Sequence, residues 1–195
     1  MDALEAILTR RSTRRFADEM PDRDLIEQVI DAGRHAPSGS NSQGTHFIVI
    51  ANRGLLDDIA RIARTEFAKM EVEPDTYVSL KNSIIASRRG TYVFHYGAPL
   101  LIVVANRKGY GNAMADCACA LENMMVAANA LDLASCWINQ LHWLDENAAV
   151  RSFMRGLGLS DDETICGSLA LGMAADGLPL RSELARTGNP VTWVA

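Results

Sequence analysis

The chain has 195 residues, 48% of them hydrophobic and 22% charged, with a formal net charge of −5. That composition supports one folded core and excludes a disordered chain, while the acidic balance excludes nucleic-acid binding by bulk surface charge. The longest apolar runs, such as residues 98–105, are too short to cross a bilayer, and residues 1–5 lack the layout of a signal peptide, so a cytoplasmic protein without a membrane partner is expected.

Leu4, Ile7 and Leu8 recur at helical spacing over residues 2–10. A second helix opens at Pro21-Asp22, carries Leu25, Ile26, Val29, Ile30 and Gly33 on one face, and runs to about residue 36. Residues 37–44 are loop chemistry throughout. A buried strand follows over 47–51, then an amphipathic helix over 55–70. Residues 71–97 mix Pro, Tyr, Ser and Arg, with a short helix expected over 77–88. Residues 99–104 form the clearest strand, a continuous apolar run suited to burial on both faces. Residues 111–133 form the longest helix, with almost no polar face. Such a helix is buried all round, either inside one core or partly against another subunit. A short strand over 136–138, a helix over 145–155 and a strand over 165–173 complete the body. Residues 191–194 read as a terminal strand on an arm, which pairs most simply with a partner's sheet edge. The order of elements gives a single α+β domain over residues 1–195, built as a homodimer.

One local feature opposes the acidic background. Arg10-Arg11-Ser12-Thr13-Arg14-Arg15-Phe16 packs four guanidinium groups and two hydroxyls into seven residues. Rigid forks of donors suit phosphate oxygens, which makes the run a candidate anion site. The alternative is plainer: arginines at a helix C-terminus complement its dipole. The 37–44 loop likewise reads either as an ordinary connection or as flexible backbone able to approach a ligand closely. Both segments flank the second helix, so its two ends can frame one cleft.

Metal and nucleophilic chemistry find little support. His35, His46, His95 and His142 do not pair with one another or with cysteines at ligand spacing. Cys117, Cys119, Cys136 and Cys166 lie in apolar stretches, where reduced thiols are expected, and Cys117 and Cys119 face different sides of their helix. There is no nucleophile elbow, P-loop or dinucleotide fingerprint. Any chemistry then belongs to a bound cofactor.

Arg10-Arg11-Ser12-Thr13-Arg14 followed by Phe16 resembles the opening motif of the flavin-dependent nitroreductases. Pro37-Ser38-Gly39-Ser40-Asn41-Ser42-Gln43 leading into His46-Phe47-Ile48-Val49 resembles their second motif. Gly97-Ala98-Pro99, Asp116 through Trp137-Ile138, and the tail Arg186-Thr187-Gly188-Asn189-Pro190-Val191 match in the same order.

The resemblance implies an α/β/α sandwich with a central, mostly antiparallel sheet and a C-terminal strand reaching the partner of a homodimer. It implies FMN in the dimer interface, with NADH or NADPH as donor and a nitroaromatic, quinone or enone as small-molecule acceptor, in ping-pong turnover. By the same resemblance Arg10, Arg11, Ser12 and Arg14 bind the phosphate, ribityl chain and pyrimidine side of the flavin, and Arg186 adds a phosphate contact. Pro37, Ser38, Gly39 and Asn41 come from the other subunit, and backbone near Ile138, Asn139 and Gln140 reaches the flavin edge near N5. A guanidinium beside N1 stabilises the reduced flavin, so no acid–base side chain is required. The alternatives are a dehalogenase-like or ring-desaturating member of the same fold, or a non-enzymatic phosphate or nucleic-acid module. The latter needs an extended basic surface that this chain lacks.

Several positions depart from the family pattern. Gly44-Thr45 replaces the usual Pro-Trp, Leu184 stands where many relatives carry a basic residue, and Met173-Ala174 follows Gly172 in place of Tyr-Pro. Residues 65–97, which cover the open flavin face in that family, carry no substrate signature.

Overall fold

Three helices begin where a short polar side chain caps the first turn. In the computed structural model, which describes residues 1–183 and 185–194, α1 (Ala3–Thr9) opens on Asp2, whose carboxylate accepts from the Glu5 amide at 2.9 Å. It stops at Arg10, where ψ swings to 134° and the chain becomes extended. After Pro21-Asp22 comes α2 (Arg23–Arg34), then β1 (His46–Ile50) and α3 (Arg53–Lys69), which is capped by Asn52 on the Leu55 amide at 3.1 Å. Next come α4 (Val78–Arg88), β2 (Leu100–Arg107), α5 (Ala113–Ala130) and β3 (Ala134–Ile138). The chain continues with α6 (Gln140–Trp143), α7 (Ala148–Gly156), capped by Asn147, and β4 (Glu163–Gly172).

The four strands form one sheet in the order β1-β2-β4-β3, every pair antiparallel. β2 is apolar without alternation because both of its faces are covered. Leu101, Val103 and Ala105 join the core under α3, α4, α6 and α7, while Leu100, Ile102 and Val104 join the core under α2 and α5. Fully burying each such side chain contributes on the order of 1.5–3 kcal/mol. The α+β sandwich with an antiparallel sheet is the expected one.

Two elements expected to meet a second subunit leave apolar surface exposed in the single chain. Residues 191–194 form no ladder with any described segment of their own chain, and Val191, Trp193 and Val194 are exposed. Within the single chain the apolar helix α5 buries only part of its surface. Cys117, Leu121 and Met124 are in the core, but Met114 is 45% exposed and Ala115 faces solvent. Leu4 and Leu8 of α1 are also exposed, at 71% and 64%.

The arginine segment is fixed by the sheet rather than left as a loop. Thr13 donates its amide to Ser135 O at 2.9 Å along the free side of β3. Ala17 donates to Met173 O at 3.0 Å, and Arg15 O accepts from Ala175 at 3.1 Å.

Candidate functional site

Pinning residues 12–17 to the ends of β3 and β4 aims alternate side chains to opposite sides. Arg10, Ser12 and Arg14 converge around Cys136, the buried thiol of β3. Burial pushes that thiol up, and the Arg14 guanidinium, the Ser12 hydroxyl and the Arg10 guanidinium oppose the shift. Arg11 joins Ser12, Thr13, Arg14 and Arg15 in lining a cavity of about 200 Å³ that Leu178 and Pro179 close from the tail.

Arg10 is the singular member. Its Nε lies 3.7 Å from Glu122 of α5, while its Nη1 is buried without a hydrogen-bond partner. Leaving a buried donor of a charged group unsatisfied costs at least about 1–3 kcal/mol. A donor in that condition fits an anionic oxygen supplied from outside the chain.

The 37–44 loop carries three left-handed residues that are not glycine. Ser40, Asn41 and Gln43 adopt left-handed φ values of 53°, 54° and 51°, and Gly39–Asn41 form a single tight turn. Asp116, buried in α5, fixes the turn by accepting from the Gly39 amide at 3.1 Å. Tyr110 donates its hydroxyl to Gly39 O at 3.2 Å, and Gln43 donates its amide to Ser38 Oγ at 3.0 Å. Pro37, Ser38, Asn41 and Gln43 then line a cavity of about 460 Å³ with Phe47 and Asp116. Gly44 packs close to the Asn106 side chain, where an added Cβ would lie 3.3 Å from Oδ1.

At the turn between β3 and α6 the side chains face inward. Ile138 is buried and its carbonyl accepts from Ser168 Oγ at 3.2 Å. Asn139 Oδ1 accepts from Trp137 Nε1 at 2.6 Å, and Gln140 Nε2 donates to Tyr92 OH at 2.8 Å. Main chain is what this turn can offer a ligand.

The structure therefore gathers Arg10, Arg11, Ser12 and Arg14 at one place, and Pro37, Ser38, Gly39 and Asn41 at another. The two cavity linings share no residue, so the ends of α2 do not frame one cleft within a single chain. Arg186 is exposed on the tail. Arg181 is the anchored tail arginine, donating to Asn129 O and pairing with Asp132. Leu184 lies outside the described residues. Sequence reasoning missed Asp116 and Glu122, although a signal was present: they are the two charged residues in α5, and each meets a site segment. Among the described residues no group of three or more His, Cys, Asp or Glu side chains could hold a metal ion.

The model of the nitroreductase family matches residues 7–173, a range that contains the 10–14, 37–41 and 138–140 segments but not Arg186. The chain belongs to the nitroreductase family. A nitroreductase from Bacteroides fragilis, crystallised with bound FMN, is 33% identical, has a TM-score of 0.88 and covers 100% of both chains. A second, from Desulfitobacterium hafniense and also with bound FMN, is 26% identical with a TM-score of 0.83 over 100% of both chains. A Methanothermobacter thermautotrophicus protein with the provisional name NADH dehydrogenase/NAD(P)H nitroreductase is 32% identical over 141 residues, 70% of this chain and 60% of that protein. The chain thus shares whole-chain architecture with the two FMN-bound structures.

Proposed function

We propose that the chain is an FMN-dependent oxidoreductase that takes a hydride from NADH or NADPH and acts as a homodimer, with residues 1–195 as one FMN-binding domain. The unpartnered Nη1 of Arg10 carries this reading, because the buried donor fits a phosphate oxygen or a flavin carbonyl. Arg10, Arg11, Ser12 and Arg14 would hold the phosphate, ribityl chain and pyrimidine side, with Arg186 as a further phosphate contact. Pro37, Ser38, Gly39 and Asn41 would come from the second copy, which explains why one chain keeps the two cavities apart. Main chain at Ile138, Asn139 and Gln140 would meet the flavin edge.

When bound, FMN supplies two-electron transfer between the nicotinamide donor and a nitroaromatic, quinone or enone acceptor in two half-reactions at one site. This chain's residues then bind, orient and tune by charge. Guanidinium groups favour negative charge developing on their partner, and they need no proton transfer of their own. With its four cysteines free, a reducing cytoplasmic setting suits the protein. Among the described residues no helix is long and apolar enough to cross a membrane.

The homodimer reading rests on unpartnered surface. Leu4, Ile7 and Leu8 on α1, Met114 on α5, and Trp193 and Val194 in the tail are large apolar side chains left exposed in the single chain. The open edge of β1 borders a groove of about 410 Å³ lined by Ile48, Val49, Ile50, Leu55 and Leu157, suited to the tail of a second copy. Sedimentation at micromolar concentration is expected to give a dimer, and removing residues 190–195 to weaken it. A monomer that still binds FMN stoichiometrically would refute the shared site.

Purified protein should bind FMN, lose flavin absorbance anaerobically on addition of NADH or NADPH, and recover it on addition of a quinone or nitrobenzene. A colourless protein that takes up no FMN overturns the proposal.

A further inference from the structure

The segment between α4 and β2 contains a conformation that its sequence disfavours. Tyr96 has φ of 57° and Gly97 follows with φ of 72°. Glycine takes this region freely, whereas a bulky aromatic residue does so only where its surroundings hold it there. The turn is closed by Tyr96 N to Val93 O at 3.1 Å and Ala98 N to His95 O at 3.0 Å. Left-handed residues that persist against their preference cluster at functional sites. Here the result is a half-buried ring whose face meets the guanidinium of Arg14, with Cζ 5.9 Å from the ring centroid.

The same segment is locked on its other side. Tyr92 OH accepts from Gln140 Nε2 at 2.8 Å and lies 2.8 Å from Ser83 Oγ, and its ring meets Phe67 edge-on at 6.4 Å. Residues 92–97 therefore connect Arg14 to Gln140, the first residue of α6. These belong to two site segments that are remote in sequence. Arg14 is otherwise an exposed side chain, and among the described residues no carboxylate pairs with it. A long, free arginine loses much rotational freedom when a ligand captures it.

We infer that Tyr96 is a positioning residue for Arg14: its ring face holds the guanidinium over the arginine segment and so raises the affinity of the apoprotein for FMN. The inference rests on the FMN reading above. It assigns a role to part of the 71–97 stretch, where the sequence offered no signature.

Titration of the apoprotein with FMN tests it. Tyr96→Phe keeps the ring face and is expected to bind within about twofold of the parent. Tyr96→Leu is expected to bind about threefold to tenfold more weakly, from the lost cation–π contact and the freed arginine. In an Arg14→Met background, Tyr96→Leu should cause no further loss. Pentafluorophenylalanine at position 96 keeps the ring's shape and reverses its surface charge, a change that a purely structural role would not register. It should bind FMN about threefold to tenfold more weakly than the parent, a readout that stands even if Tyr96→Leu fails to fold. Additive losses in the Arg14→Met background, or parent-like affinity with the fluorinated ring, overturn the inference. Failure of the parent to bind FMN instead overturns the proposed function.

Discussion

Arg10→Met is expected to weaken FMN binding about 10- to 100-fold while leaving the stability of the apoprotein unchanged or slightly higher. The two effects differ because Arg10 serves no partner of its own chain well. Its Nη1 is buried without an acceptor, and its Nε stands 3.7 Å from Glu122, a side chain that is 51% exposed. A charged hydrogen bond to a ligand contributes about 1.5–3 kcal/mol, which sets the affinity loss. Methionine keeps the aliphatic stem in place and removes the unsatisfied donor, so the empty protein loses little. Such opposition between stability and function marks a group placed for a ligand. Along the same run, Arg14→Ala should weaken FMN retention clearly more than Arg15→Ala. The Arg15 backbone carbonyl holds Ala175, but its side chain is exposed and makes no hydrogen bond among the described residues. Fluorescence titration and thermal melts of the apoproteins check both statements. Equal losses at Arg14 and Arg15, or an apoprotein strongly destabilised by Arg10→Met, would contradict this assignment of the run.

The legible features were those encoded locally. Apolar periodicity marked α2 and α3, and the unbroken run of β2 announced a strand covered on both faces. Proline and polar residues marked where helices begin. The position of the arginine run was not legible, because Thr13 meets Ser135 through a backbone bond between segments far apart in the chain. The expected pocket members at 37–41 are present, but their strained turn depends on Asp116 and Tyr110, and no local pattern links those residues to the loop. The four-residue α6 is too short to show a period. At 191–194 the strand-like composition is real, yet a ladder needs a neighbour that this chain does not provide. The candidate site is written across distant segments of the chain.

Asp145→Ala is expected to be among the most destabilising single changes outside the site, by about 3–5 kcal/mol. Asp145 and Arg151 form an ion pair at 3.2 Å with side chains 8% and 7% exposed. The carboxylate also accepts from the Ile165 amide at 3.0 Å and the Thr164 hydroxyl at 2.6 Å, joining the turn after α6 to the start of β4. Arg151 extends the lock through Glu163 O at 2.9 Å and Ser160 O at 3.0 Å. Alanine strands a buried guanidinium charge and two donors, whereas Asp145→Asn keeps acceptor capacity and should lose about half as much. For a chain of this size the alanine variant should melt roughly 6–20 °C lower. Adding Arg151→Met to Asp145→Ala should recover part of the loss, since removing both charges leaves no buried ion unpaired. The consequence for the site is indirect. His142 Nδ1 donates to Ile165 O at 2.7 Å, so α6 keeps a second tie to β4, and the 138–140 turn should hold its place. FMN affinity of the folded Asp145→Ala protein should therefore fall less than that of Arg10→Met, and a larger fall would show that the turn depends on the ion pair.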